Sequence, residues 1–66
     1  MELIVNGERR TYSGIGTVSE LVSALGLDRR KVAVERNLEI VPRSAYPATT
    51  LETGDRIEIV HFIGGG

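Results

Sequence analysis

A chain of 66 residues without cysteine can form one small domain, but it offers no disulfide, no thiolate nucleophile and no thiolate metal site. Its 8 basic and 9 acidic residues give a net charge of -1, without the basic excess of a nucleic-acid-binding domain. The apolar runs are far shorter than a membrane span, and the N-terminal residues lack a signal-peptide pattern, so we expect a cytoplasmic monomer with neither nucleic acid nor membrane as a partner.

The N-terminal residues predict a β-hairpin. Residues 3–5 are a short apolar run that ends at Asn6-Gly7, the dipeptide most typical of a two-residue hairpin turn because both residues tolerate positive φ. A second strand over residues 8–12 should therefore pair antiparallel with the first.

The next segment predicts one amphipathic helix after a loop over residues 13–16. Thr17 and Glu20 match a capping box, in which Thr17 caps the helix and Glu20 reaches back to it. One apolar helical face is expected from the spacing of Val18, Leu21, Val22 and Leu25. Gly26 stands where a helix commonly ends through a left-handed residue.

The second half of the chain predicts three further strands. Two of them are short, over residues 32–35 and 38–41, and are separated by a turn at Asn37. Residues 43–50 contain Pro47 and small polar side chains and are expected to form a loop.

The final strand, over residues 56–63 after a turn at Gly54-Asp55, has the clearest alternation in the chain. Alternation places Ile57, Ile59, His61 and Ile63 on one face and Glu58, Val60 and Phe62 on the other. A hairpin, one helix and further strands pack most simply as a mixed sheet with the helix across one face. We therefore predict an α+β fold of the β-grasp type with the last strand central, as a single domain over residues 1–63 followed by a flexible glycine tail over residues 64–66.

No conventional catalytic constellation is visible in the sequence. Gly14-Ile15-Gly16 lacks the further residues of a nucleotide-binding loop, so a turn before the helix is expected there. His61, the single histidine, lies among isoleucines and is expected to be a packed or surface residue rather than a base or metal ligand. The carboxylates are scattered over strands and turns, and residues 28–31 are expected to form a solvated loop rather than a binding patch.

The segment Gly64-Gly65-Gly66 is either a passive tail or the functional part of the chain. Glycines can enter a channel too narrow for other residues, and three extended residues reach about 10 Å beyond the last strand. The α-carboxylate of Gly66 is unhindered, but its ordinary pKa of about 3.5 leaves it ionised at neutral pH. It becomes an acylating group only after activation, for which a partner would have to supply ATP and magnesium.

Several segments resemble one known family along essentially the whole chain. They are VAVE at residues 32–35, EIVPRS at residues 39–44, GDRIEIV at residues 54–60 and FIGGG at residues 62–66. With these motifs in this order, the chain resembles the ThiS family, the ubiquitin-like β-grasp sulfur carriers of thiamine biosynthesis. Leu38 departs from the pattern, because similar proteins often have glycine after the asparagine, and this leaves the exact turn at Asn37 undetermined.

The resemblance implies a mechanism centred on Gly66. An E1-like adenylyltransferase of the ThiF type would use ATP and magnesium to form an acyl-adenylate there, and sulfur relayed from a cysteine desulfurase would replace AMP. The thiocarboxylate would supply sulfur to thiazole synthase of the ThiG type, which builds the thiazole of thiamine. The chain would be a protein cosubstrate rather than an enzyme, with no cofactor or metal of its own. Gly66 is the expected site of sulfur attachment, and Gly65 and Gly64 are expected to thread into the partner.

Phe62 and Ile63 are predicted to contribute to partner docking, because apolar side chains next to the tail are costly to leave exposed. The alternative for Phe62 is a place in the core under the helix. Three other functions stay open: a sulfur carrier for another pathway, above all the small subunit of molybdopterin synthase; a ubiquitin-like protein modifier; and a β-grasp interaction module with an incidental tail.

Overall fold

Five strands form one mixed sheet in the computed structural model, which describes residues 1–62. The strands are β1 (Glu2–Val5), β2 (Glu8–Thr11), β3 (Val32–Arg36), β4 (Glu39–Val41) and β5 (Arg56–His61), and the helix α1 spans Val18–Ala24. Their order across the sheet is β2-β1-β5-β3-β4, with β1 and β5 parallel and the other neighbours antiparallel. The predicted β-grasp fold with a central last strand is confirmed. The predicted tail over residues 64–66, and Ile63 at the end of the predicted domain, lie outside the described residues.

The hairpin of β1 and β2 turns at Asn6 and Gly7, as the sequence predicts. Both residues have positive φ, of 49° and 82°, the combination that a tight primed turn requires. The Asn6 side chain also joins the hairpin to the last strand. Its Oδ1 accepts a hydrogen bond from the Ile59 amide at 2.7 Å, and its Nδ2 donates to the Ile59 carbonyl at 3.2 Å. This pair of hydrogen bonds continues the short ladder between β1 and β5, whose paired residues end at Val5 and Ile57.

The helix begins with the predicted capping box. The Thr17 hydroxyl accepts from the Glu20 amide at 3.2 Å, and the Glu20 carboxylate accepts from the Thr17 amide at 3.1 Å. These bonds satisfy two amides that the helix itself leaves without partners. Gly26 follows the last turn with a φ of 72°, the left-handed conformation predicted for it.

The core lies between α1, a 3₁₀-helix at Arg43–Ala48 and one face of the sheet. Its buried apolar residues are Leu3, Val5, Val18, Leu21, Val22, Val32, Val34, Val41, Tyr46, Leu51, Ile57 and Ile59. Ile57 and Ile59 occupy the inner face of β5, while Glu58 is half-buried and Val60 is exposed. The predicted alternation of this strand is therefore confirmed over the described residues.

The 3₁₀-helix at Arg43–Ala48 corrects the prediction of a loop over residues 43–50. Tyr46 in this helix is only 1% exposed, and its hydroxyl donates to the Val32 carbonyl at 3.4 Å. A domain of this size has few large side chains with which to fill its core. The prediction was wrong because burial of one aromatic side chain outweighs the local preference of Pro47 and its small polar neighbours.

A shorter 3₁₀-helix, Arg29–Lys31, lies where the sequence predicts a solvated loop. The Asp28 carboxylate caps it by accepting a hydrogen bond from the Arg30 amide at 2.9 Å. All three helical residues are exposed. The expectation of irregular structure was therefore wrong, whereas that of solvent exposure is confirmed.

A buried carboxylate fixes the turn between β3 and β4 to the start of β5. Asp55 is 7% exposed and accepts hydrogen bonds from Arg36 Nε at 2.8 Å and from Asn37 Nδ2 at 3.0 Å. The Glu52 amide donates a third hydrogen bond at 2.8 Å. Burial raises the pKa of Asp55, but the hydrogen bonds from Arg36, the Glu52 amide and Asn37 outweigh it, so this pKa lies below its usual value. These groups are called the Asp55 network below.

Leu38 occupies the turn between β3 and β4, where the sequence predicts the beginning of a strand. Asn37 and Leu38 have φ values of 51° and 72°, so a residue with a β-carbon adopts a conformation that favours glycine. The residue is 80% exposed, and β4 begins one residue later, at Glu39. Leu38 therefore adopts the left-handed turn at the expense of backbone strain.

Candidate functional site

The last strand brings the end of the described chain out from the middle of the sheet. β5 pairs with β1 on one side and with β3 on the other. Phe62, directly after β5, donates its amide to the Lys31 carbonyl at 2.7 Å. The predicted site residues Ile63, Gly64, Gly65 and Gly66 lie outside the described residues. The structure fixes the position of the residue that precedes them.

Phe62 lies on the outer face of the sheet, away from the core. It is 46% exposed, and it stands one residue beyond β5, where continued alternation places it on the face of Glu58 and Val60. The alternative interpretation, a place in the core under the helix, is therefore wrong. The docking role of Phe62 stays a prediction.

Two further apolar side chains extend this exposed surface. Val60 is 59% exposed, and Ile40 on β4 is 68% exposed. Ala33 pairs with Val60 across the strands, and Ile40 pairs with Glu35, which shares a face with Ala33. We call Ala33, Ile40, Val60 and Phe62 the outer apolar patch. Ile40 was not predicted as a surface residue, because a strand of three residues has too few alternations to show which face is buried.

Comparison with known proteins decides the family. A family model described as the ThiS family matches residues 3–66. The chain belongs to the ThiS family. The sulfur carrier protein ThiS of Bacillus subtilis (strain 168) is 45% identical over 51 residues, which cover 77% of each chain. The crystal structure of the thiamine biosynthesis protein (ThiS) from Geobacter metallireducens aligns with a TM-score of 0.84 and 43% identity, over 100% of both chains.

Longer proteins also contain a segment similar to this ThiS-family chain. A thiazole synthase of Paramagnetospirillum magneticum is 58% identical over all 66 residues, and a thiazole synthase of Magnetococcus marinus is 46% identical over the same length. The chain spans only 20% of the length of each of these two relatives.

His61 lies on the helix-side face of the sheet, in an open groove beside the end of α1. The groove has a volume of about 430 Å³ and is lined by Val5, Asn6, Glu8, Arg10, Leu25, Leu27, Ile59 and His61. Glu8 and Arg10 form an ion pair of 2.8 Å within it. His61 is exposed, which agrees with the predicted packed or surface residue.

Across residues 1–62, no three histidine, aspartate or glutamate side chains lie close enough together to hold a metal ion. In the same residues, none of the helices combines the length and the apolar character that a membrane crossing requires.

Proposed function

We propose that this chain is a sulfur carrier of thiamine biosynthesis, on which the carboxylate of Gly66 is adenylated and then converted to a thiocarboxylate. The observation that carries the proposal is the central last strand, which is paired on both sides. In this member of the ThiS family, that strand leads in sequence to Gly64-Gly65-Gly66. The similarity to the sulfur carrier protein ThiS of Bacillus subtilis supports the same role.

The chemistry explains why the glycine carboxylate needs a partner. At neutral pH it is an anion, with an ordinary pKa of about 3.5, and therefore a poor electrophile. Attack of this carboxylate on the α-phosphate of ATP releases pyrophosphate and gives an acyl-adenylate. The outer sulfur of a protein persulfide then attacks the acyl carbon and displaces AMP, which gives an acyl disulfide. A thiol reduces this acyl disulfide by forming a new disulfide with the former persulfide cysteine, and the thiocarboxylate leaves. The product is a thiocarboxylate, whose sulfur is a better nucleophile than the original oxygen.

The proposal assigns the catalytic steps to other proteins. An E1-like adenylyltransferase supplies ATP, magnesium and the adenylating pocket, and a cysteine desulfurase is the source of the sulfur. Thiazole synthase is the proposed acceptor, and the similarity of the whole chain to part of two proteins of that name supports it over other acceptors. The chain itself is a protein cosubstrate rather than an enzyme.

The outer apolar patch is the proposed docking surface, together with Ile63. Val60 and Phe62 are about half exposed, so covering the remaining surface of each side chain is worth about half of the roughly 1.5–3 kcal/mol of a complete burial. The patch lies directly before the glycines, so the same partner could cover it while Gly64 and Gly65 enter a narrow channel. A side chain at Gly65 would obstruct that channel.

Intact-mass spectrometry tests the proposal. The full chain is incubated with an E1-like adenylyltransferase, ATP, magnesium and a sulfur source, and a variant that ends at Gly64 serves as the control. We expect one oxygen to be replaced by sulfur at Gly66, and no change in the control. Fragmentation must locate the change, because oxidation of Met1 gives nearly the same nominal mass. An unmodified Gly66, with an enzyme that is active on another carrier, would contradict the proposal.

A further inference from the structure

Charge is unevenly distributed over this nearly neutral chain. The two 3₁₀-helices contribute four cations, Arg29, Arg30, Lys31 and Arg43, all of them exposed. Arg29, Arg30 and Arg43 line one surface depression together with Ser44 and Pro47. We call these four cations the basic cluster.

Few of these charges are neutralised within the described residues. The ion pairs found in residues 1–62 include one member of the basic cluster, Arg30, whose guanidinium donates to Asp28 Oδ2 at 3.0 Å. The cluster and Asp28 together carry a formal charge of +3. The other four basic and eight acidic residues carry -4, which together give the net charge of -1. Positive charge is therefore concentrated at the two 3₁₀-helices although the net charge of the chain is small.

The positive region lies beside the point where the described chain ends. β5 runs antiparallel to β3, so His61 is paired with Val32, the first residue of β3. The Arg29–Lys31 helix comes directly before Val32, and the Lys31 carbonyl accepts from the Phe62 amide at 2.7 Å. A protein that binds the residues after Phe62 is therefore brought close to the basic cluster.

We propose that the basic cluster is an electrostatic docking surface for an acidic region of the adenylyltransferase, beside the entrance through which the glycines reach its active site. This inference rests on the proposed function. Exposed charges of opposite sign raise the rate of encounter and set orientation, although each pair adds little to affinity. Three of the four cations are arginines, whose planar guanidinium can bind a carboxylate through two parallel hydrogen bonds.

The charges elsewhere on the molecule favour an acidic protein over a nucleic acid. A polyanion attracted by the cluster would also meet the -4 carried by the remaining residues, and nucleic-acid affinity depends on many phosphate contacts made at once. An acidic protein surface of limited extent can instead match the cluster alone.

Two charge variants test the proposal. Arg29→Gln/Arg43→Gln removes two cations of the cluster, and Arg9→Gln/Arg56→Gln removes two exposed cations near Ile4, so both have the same net charge. KM and kcat for thiocarboxylate formation are measured at low and at high ionic strength. For the cluster variant we expect a KM raised about tenfold at low salt with unchanged kcat, and a much smaller difference at high salt, where exposed charges are screened. For the control variant, KM should change less than about twofold at either salt concentration.

The outcomes separate this proposal from the proposed function. If KM rises equally in both variants, the rise is caused by the change in net charge rather than by the cluster, and the proposed docking surface is wrong. If neither changes while Gly66 is still modified, the cluster is unused and the carrier function stands. If the unaltered chain is not modified at all, the carrier function itself fails. Binding of a single-stranded oligonucleotide that only the cluster variant loses would reassign the cluster to nucleic acid. Thermal unfolding followed by circular dichroism confirms that each variant is folded.

Discussion

Replacement of Asp55 by asparagine should strongly destabilise the fold. The amide keeps the size of the side chain but removes its charge, and one of its two polar atoms becomes a donor that faces another donor, such as Asn37 Nδ2. A hydrogen bond to a charged group is worth about 1.5–3 kcal/mol. Loss of one partner from a buried ion pair costs about 3–5 kcal/mol. Because the Arg36 side chain is 29% exposed, we expect a loss near the lower end, about 2–3 kcal/mol.

Urea denaturation followed by circular dichroism measures this loss, and the midpoint of thermal unfolding should fall by about 10–20 °C in a domain of this size. Glu52→Gln is the matched control, since it removes an exposed carboxylate from the same turn while its backbone amide still donates to Asp55. The control should stay within about 0.5 kcal/mol of the original. If Asp55→Asn is equally harmless, the Asp55 network does not hold the turn as described.

The Asp55 network also predicts a dependence on pH. The pKa of Asp55 is lower in the folded chain than the value of about 3.9 expected when the chain is unfolded. Its stabilising contribution is therefore complete above about pH 4 and is lost as the pH falls through the folded-state pKa. Hydrogen bonds from Arg30 also lower the pKa of Asp28 to about 2. This shift contributes equally to the stability of the original chain and of Asp55→Asn, so it cancels in their difference. The difference between the original chain and Asp55→Asn should thus shrink in acid and stay constant near neutrality.

Four further substitutions separate packing, strain and function. Leu38→Gly should stabilise the fold by about 1 kcal/mol by relieving a left-handed leucine; a lower urea midpoint would show that the turn is unstrained. Tyr46→Ala should cost about 3–5 kcal/mol in the same assay because it empties a core site, whereas a loss below about 1 kcal/mol would mean that the 3₁₀-helix is not anchored by its ring. Phe62→Ala should leave unfolding within about 1 kcal/mol of the original and raise KM for thiocarboxylate formation; unchanged KM would exclude Phe62 from docking. Gly65→Val should retain stability but lose modification, and normal modification would argue against a narrow channel.

The features that depend on residues close together in the chain were predicted correctly from the sequence. The turn at Asn6-Gly7, the capping box of Thr17 and Glu20, and the left-handed Gly26 are all confirmed, because each is decided within a few residues of chain. The alternation of β5 was predicted for the same reason, since opposite faces follow directly from strand geometry.

The features that sequence missed depend on contacts between distant segments. Tyr46 is buried through its contact with Val32, 14 residues away, and Asp55 is satisfied by Arg36, 19 residues away. Neither partner can be identified from local pattern. For the candidate site, alternation showed that Phe62 shares a face of the sheet with Glu58 and Val60. It could not show whether the helix covers that face or the opposite one. Residues 28–31 were predicted to be a solvated loop rather than a binding patch, and local sequence could not show that the distant Arg43 lies beside Arg29 and Arg30.

The parallel pairing of β1 and β5 has a mechanical consequence. A force that pulls the two ends of the described chain apart acts along neighbouring strands in opposite directions, and their connecting hydrogen bonds lie across that force. Such bonds must break together rather than one after another, and the two bonds between Asn6 and Ile59 add to their number. The fold therefore resists unfolding when tension is applied between the start of β1 and the end of β5.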